Sequence, residues 1–364
     1  MKIYISNLQK GLDVYNGKSK FINYLADYLV RRGHILLDDP FGCDINLSMN
    51  KLPSVNEGIL VTRLDDIYFC NDPVHDEVYK KGYNRIIEAL SSADAIIYQS
   101  HLSKGVVENI TSISPIHSRI IYNGAPSSPL YTPWDIPIPS NKRIILFACQ
   151  KLFPLRRLEE FLTTWLTIKP FYPDHVLALV YTQDAVYGHI DYLLDDSSVY
   201  VFDCMEPSNL NYLMSRSELM VSLKYQDSCP NIIAEAAQAG LPSLISSTNG
   251  WAGNIHAINS GYLRIANVDS YCTIDFHPYE IFPFNYDEFR SSLCHALDNP
   301  PRPSKSNEFD IIKSCRSYES YFEYLIESIP KRSSSYFRKC SYFSYKFSKT
   351  SLKLIKSSLK SKNL

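Results

Sequence analysis

Short runs rich in β-branched and aromatic residues recur along the chain, separated by longer stretches whose apolar positions return every three to four residues. In the first part the runs at 2–6 (KIYIS), 59–63 (ILVTR), 95–100 (AIIYQS) and 119–123 (RIIYN) read as strands. In the second part so do 143–148 (RIILFA), 175–181 (HVLALVY), 198–203 (SVYVFD), 219–225 (LMVSLKY) and 242–247 (PSLISS). Their nearly continuous apolar character predicts strands covered on both faces, as in parallel sheets. Between them lie amphipathic stretches such as 20–34, KFINYLADYLVRRGH. There Phe21, Leu25, Tyr28, Leu29 and Arg32 share a half-apolar helical face, and Gly33 supplies a stop. Strand and helix in alternation predict α/β layers joined by right-handed crossovers. Five prolines between Pro126 and Pro139 remove the amide protons that helices and sheets use, so 127–140 reads as a semi-rigid linker. The expected organisation is an α/β domain over 1–126, a second over 141–300, and a helical segment at 301–330 packing back toward the first. A ligand cleft is expected at the carboxyl ends of the strands.

Composition narrows the function classes. A length of 364 residues suits two domains, and 21% charged with 13% aromatic residues excludes general disorder. No apolar run approaches the roughly 20 residues that cross a bilayer. The N-terminal segment, MKIYISNLQKG, reads as lacking the apolar stretch and cleavage site of a secretory signal. Nine cysteines, scattered singly from Cys43 to Cys340 without a C-x-x-C pair, argue against a disulfide framework or a zinc ribbon and fit a reducing cytoplasm. The formal charge of −1 hides an asymmetry: residues 331–364 carry ten basic residues and no acidic one, which leaves the first 330 at −11. Such an acidic body is a poor partner for nucleic acid. In the tail, Leu352, Ile355 and Leu359 recur at helical spacing beside Lys353, Lys356 and Lys360, with six aromatic residues upstream. This basic amphipathic pattern predicts attachment to an anionic membrane surface, and hence a cytoplasmic protein peripheral on the inner face of the membrane.

Near the N-terminus, GLDVYNGKS has the look of a phosphate-binding loop with the wrong spacing. A G-x-x-x-x-G-K-S loop needs glycine where Leu12 stands, and Gly11 is one residue early. The turn at Asn16-Gly17 nevertheless precedes a helix, where backbone amides can receive a diphosphate. The most informative stretch is 222–251, SLKYQDSCPNIIAEAAQAGLPSLISSTNGW. It reads as a strand, a loop with Asp227, Pro230 and Asn231, and a helix with Glu235 that ends near Gly240. Two carboxylates at adjoining levels of one strand-loop-helix turn can hold the hydroxyls of a sugar and a ribose.

This stretch resembles the donor-sugar signature of the retaining GT-B glycosyltransferases (the group 1, family 4-like enzymes). Their pattern is Glu, seven residues, Glu, then A-x-x-x-G-x-P and a strand. Here Asp227 and Glu235 take the acidic places, followed by Ala236, Gly240 and Pro242. Asp227 keeps the charge but shortens the reach by one methylene. In the family's order, Asn16-Gly17 resembles the Gly-Gly loop, 92–104 (SADAIIYQSHLSK) a strand delivering a serine, and 119–126 (RIIYNGAP) the N-G turn before the linker. CQKLFPLRRLEEFL, 149–162, resembles the loop whose basic residues meet the donor diphosphate.

The resemblance implies two Rossmann-like domains facing a cleft, and a hexosyltransferase that moves a sugar with retention from a UDP- or GDP-linked donor to a glycan or lipid-linked acceptor in cell-surface polysaccharide synthesis. It implies Asp227, Lys151, Arg156 and Asp65 at the reacting centre, and Glu235, Asn231, Pro230, Arg157, Asn16 and Gly17 about the nucleotide-sugar. Where relatives carry a histidine at a strand end of the first domain, this chain has Leu64 and Asp65, with Arg63 beside them. No D-x-D metal-chelating pair occurs, so lysine and arginine are expected in place of a metal, and no cofactor beyond the donor is implied. Two further readings fit the same fold: a sugar-nucleotide epimerase, which needs no acceptor, and a non-catalytic sugar-nucleotide or glycan-binding partner.

Overall fold

The chain folds as two parallel six-stranded sheets flanked by helices. The computed structural model describes residues 1–6, 8, 17–49, 57–65, 76–127, 131, 133–150, 156–182, 190–269, 283–301, 303–304 and 306–329. The strands of the first sheet are β1 (Lys2–Ile5), β2 (Ile35–Leu37), β3 (Ile45–Met49), β4 (Ile59–Leu64), β5 (Ala95–Tyr98) and β6 (Ser118–Ile120), in the order β2-β1-β3-β4-β5-β6. Those of the second are β7 (Arg143–Ala148), β8 (His175–Val180), β9 (Val199–Phe202), β10 (Ser217–Ser222), β11 (Ser243–Ser246) and β12 (Leu263–Ala266), in the order β12-β11-β10-β7-β8-β9. The helices are α1 (Gly17–Arg31), α2 (Asp76–Ser92), α3 (His101–Thr111), α4 (Leu158–Ile168), α5 (Asp191–Leu194), α6 (Pro207–Arg216), α7 (Asn231–Gln238), α8 (Ile255–Asn259), α9 (Tyr286–Asp298) and α10 (Ile311–Ser328).

Period-two alternation explains why the strands read as unbroken apolar runs. On β7, Ile145 and Phe147 join one buried cluster with Phe161, Trp165 and Phe289. Ile144, Leu146 and Ala148 join another with Ile233, Trp251 and Phe309. Both faces of the sheet are therefore covered, so neither face of the strand can be polar.

All nine strands read from the sequence are present, with some ends shifted, and three more were not foreseen: β2, β3 and β12. β3 alternates Ile45, Asn46, Leu47, Ser48 and Met49, a pattern expected of a half-exposed strand, yet all five are buried. On its polar face the Ser48 hydroxyl meets the Thr62 hydroxyl of β4 at 2.9 Å, and Asn46 Nδ2 donates to Glu57 O at 3.5 Å.

The chain returns from the second sheet to the first through a tight crossing. The Ala125 amide donates to Phe309 O, and the Ile311 amide donates to Ala125 O. A Cβ on Gly124 would stand 2.5 Å from the Asp310 carbonyl carbon, so only glycine allows the approach. α10 then buries Cys315, Tyr318, Phe322 and Leu325 against Ile3, Phe21, Leu25 and Leu29. His34 lies beyond α1 and meets Glu319 of α10 at 2.9 Å. Tyr28 and Arg32 also bond Glu319, which is why Arg32 belongs to this junction rather than to an apolar face.

Both sheets lie in one compact unit, Met1–Ile329. The basic stretch 331–364 lies outside the described residues. Among the described residues, no helix is long and apolar enough to cross a membrane.

Candidate functional site

The strand order reverses beside β7: the chain runs outward through β8 and β9, then returns to β10 on the other side of β7. Helices after β7 and β10 must leave in opposite directions, which opens a crevice at the carboxyl ends of those strands. A cleft of about 1020 Å³ opens there. Its walls carry Cys149, Gln150, Lys224 and Asp227 from the loops after strands of the second sheet, Arg63, Asp65 and Gln99 from strand ends of the first, and Lys20 from α1.

Asp227 sits in the loop after β10, which Gln226 turns sharply by adopting φ 53°. Its carboxylate pairs with Lys224 at 3.1 Å and Arg156 at 3.6 Å. The loop is pinned from behind, where the Gly250 amide donates to Asp227 O at 2.6 Å.

α7 follows. Asn231 and Glu235 are four residues apart and so share one face, and both line the cleft. The opposite face buries Ile233, Ala236 and Ala237. Small side chains there let the helix sit close to the sheet. The helix ends in a Schellman arrangement: Leu241 N donates to Ala236 O, Gly240 N donates to Ala237 O, and Gly240 takes φ +84°. Glu235 is thus held on a short, rigid helix, and its Oε1 accepts from Lys20 Nζ of α1 at 2.8 Å.

A polar chain crosses from the first sheet to α7. Arg63, only 1% exposed, pairs with Asp65 at 2.6 Å and donates to Asn123 Oδ1 at 3.0 Å. Burial acts to lower the guanidinium pKa, and Asp65 together with Tyr318 and Cys229 more than offsets it, so the group is held above its ordinary value. Gln99 donates to Asp65, and Asn123 Nδ2 donates to Gln99 Oε1 at 3.2 Å and to Asn231 Oδ1 at 2.8 Å. Ser228, next to Asp227, donates to Asp65 O at 2.8 Å. Asp65 is therefore both part of an ion pair and a wall of the cleft.

The candidates named from the sequence fall into three groups. Asp227, Arg156, Asp65, Glu235, Asn231 and Pro230 come together on the cleft wall. Asn231 is the first residue of α7, and the N-cap is Pro230. The Pro230 carbonyl accepts from Trp251 Nε1 at 3.1 Å. Arg157 is not among the described residues of the cleft wall. It adopts φ 59°, is 3% exposed, and pairs with Asp269 at 2.6 Å beneath Tyr225 and Phe284. The two neighbouring arginines thus diverge, one into the cleft and one into the core beneath the Asp227 loop. Gly17 opens α1, while Lys151 and Asn16 lie outside the described residues.

Sequence reasoning missed Lys20, Lys224 and Asn123. Lys224 read as strand, and its spacing of three from Asp227 was the available signal. Lys20 read as the polar side of a helix. Asn123 stands in the N-G turn and in sequence reads only as a turn residue. Among the described residues, no group of three or more His, Cys, Asp or Glu is arranged to hold a metal.

No family model matches the sequence, and no curated protein matches it. Solved structures do match. Sucrose-phosphate synthase from Thermosynechococcus elongatus superposes with TM-score 0.65 at 12% identity, over 90% of this chain and 97% of its own. WaaG, a glycosyltransferase involved in lipopolysaccharide biosynthesis, superposes with TM-score 0.58 at 14% identity, over 91% and 100%. AviGT4, a glycosyltransferase involved in avilamycin A biosynthesis, gives 0.54 at 12% identity, over 90% and 98%. The two sheets with their helices are the GT-B fold of these proteins.

Proposed function

We propose that the protein is a retaining glycosyltransferase that moves a hexose from a UDP- or GDP-linked donor to a glycan or lipid-linked acceptor. The observation that carries this reading is the meeting of Asp227, Glu235, Arg156 and Lys224 at the switch-point crevice of a GT-B fold. Glu235 receives the ribose hydroxyls, Asp227 the donor sugar, and Asn231 and Pro230 shape the entrance of α7 beside them. Arg156 is assigned to the diphosphate, and the same role is proposed for Lys151 and for the amides at Asn16-Gly17. Charge accumulates on that diphosphate as it departs, so fixed cations there stabilise the transition state more than the ground state. Arg157 supports the same loop from the core.

Retention follows if the acceptor approaches from the face that the diphosphate leaves. The acceptor oxygen bonds to the anomeric carbon, the bond from that carbon to the leaving phosphate oxygen breaks, and the acceptor's proton passes to that phosphate oxygen. Lysine and arginine supply the charge, and no metal or further cofactor enters the scheme. Asp65, held by Arg63 and Gln99 where relatives carry histidine, faces the incoming acceptor hydroxyl or the donor sugar.

Cell-surface polysaccharide synthesis fits this chemistry, and a structural neighbour's role in lipopolysaccharide biosynthesis supports it. The basic stretch 331–364 would hold the protein at the cytoplasmic face of an anionic membrane, where a lipid-linked acceptor is presented.

Full-length protein incubated with UDP- and GDP-sugars, with and without lipid-extract acceptors, tests the reading. Acceptor-dependent donor consumption with an unchanged anomeric configuration is expected. An altered donor without acceptor would instead mark an epimerase, and no turnover with tight donor binding would mark a non-catalytic binder.

A further inference from the structure

Lys20 occupies the first turn of α1, and its ammonium reaches Glu235 of α7 across 215 positions of sequence at 2.8 Å. Its own helix does not favour it there. A helix N-terminus carries positive partial charge that opposes a nearby cation, and α1 has no acidic residue in its first turn to offset this. The Glu235 carboxylate holds the ammonium in place. Burial acts to lower the Lys20 pKa, and Glu235 outweighs it, so the group stays above its ordinary value and charged.

The pair is also exchangeable. Its side chains are 34% and 21% exposed and stand in the cleft wall, so the contact can open without unpacking a core. Partly exposed pairs of this kind contribute little to stability.

A difficulty arises when a donor enters. A ribose hydroxyl can hydrogen-bond Glu235 but brings no positive charge to replace the ammonium and no negative charge to satisfy it. The anion that arrives attached to the same ribose is the diphosphate. The other wall repeats the logic, because Arg156 and Lys224 are likewise parked on a carboxylate, that of Asp227.

We propose that Lys20 is an exchangeable cation for the donor: it neutralises Glu235 before the donor binds and turns to the diphosphate once the ribose hydroxyls occupy Glu235. This role rests on the donor reading given above and adds to it a residue from α1 that selects nucleoside diphosphates over nucleosides.

The test is calorimetric titration of full-length protein at fixed ionic strength with nucleoside, monophosphate and diphosphate of the uridine and guanosine series. Wild type is compared with Lys20→Met, Lys20→Gln and Lys20→Arg. Lys20→Met is expected to leave nucleoside affinity unchanged or raised, since Glu235 is released, and to weaken diphosphate affinity tenfold or more. Lys20→Arg is expected to restore most of that loss. If nucleoside and diphosphate affinities change by one common factor, or neither changes, Lys20 is only a brace between α1 and α7 and the proposal fails. Should Lys20→Met not fold, Lys20→Gln against Lys20→Arg carries the same comparison. A wild-type protein that binds no diphosphate of either series removes the donor reading itself, a failure distinguishable from that of Lys20.

Discussion

Glu235 and Arg156 are the residues whose loss separates binding from chemistry. Glu235 stands on the cleft-facing side of a helix whose opposite side is packed, so Glu235→Ala removes a hydrogen-bonding group without opening a core cavity. Hydrogen bonds to a charged group contribute about 1.5–3 kcal/mol, which predicts donor binding weakened by about 10- to 100-fold with the melting temperature little changed. Arg156 meets Asp227 now and faces the diphosphate in the proposed reaction, so Arg156→Ala is expected to lower kcat/KM by about tenfold or more. Lys151→Ala should do the same. Titration and steady-state kinetics on the same preparations read both, and wild-type donor affinity in Glu235→Ala would sink the ribose assignment. Much at this scale was legible. The spacing of Asp227 and Glu235 brought both to one cleft, because a loop and the first two turns of the following helix are local structure. The opposite fates of Arg156 and Arg157 were not legible. Adjacent cations look alike until the fold supplies Asp269 to one and open cleft to the other.

At the scale of elements, the loop carrying Asp227 depends on a neighbour 23 positions later in the chain. Gly250 opens a short 3₁₀ turn, Gly250–Gly253, and lies so close to Ser228 that an added Cβ would stand 1.8 Å from the Ser228 carbonyl oxygen. The contact is with backbone, which cannot rotate away as a side chain would. Gly250→Ala is therefore expected to cost about 1–3 kcal/mol of stability and to displace Asp227, whose carbonyl accepts the Gly250 amide. Chemical denaturation together with donor titration checks this. A variant with unchanged midpoint and unchanged donor affinity would show that the approach is relaxed at no cost. The strands themselves were readable because burial on both faces leaves an apolar run. β3 escaped because Asn46 and Ser48 are buried in the middle of a sheet, and a buried polar residue such as Ser48, bonded to Thr62 of the next strand, is indistinguishable in sequence from one facing water.

For the whole molecule, the charge asymmetry between the first 330 residues and the last 34 calls for a functional test. At about 1 kcal/mol for each basic residue near anionic lipid, five engaged residues contribute roughly 5 kcal/mol. Full-length protein is expected to sediment with anionic vesicles at low salt and to detach as salt rises, since the attraction extends about one Debye length. A chain ending at Pro330 should stay in the supernatant. Equal pelleting of both chains would assign membrane attachment elsewhere or nowhere.

The sequence by itself determined the α/β class, nine of the strands, and the pairing of two acids about one strand-loop-helix turn. Each rests on interactions between residues near in the chain or on the simple condition that buried strands be apolar. Tertiary structure alone decided which groups face each other across the cleft. Lys20 with Glu235, Asn123 with Asn231, and Asp65 with Ser228 join residues more than a hundred positions apart. No local pattern encodes such a meeting. It follows from the strand order of two sheets and from the return of α10 to the first, which together set where each helix terminus points.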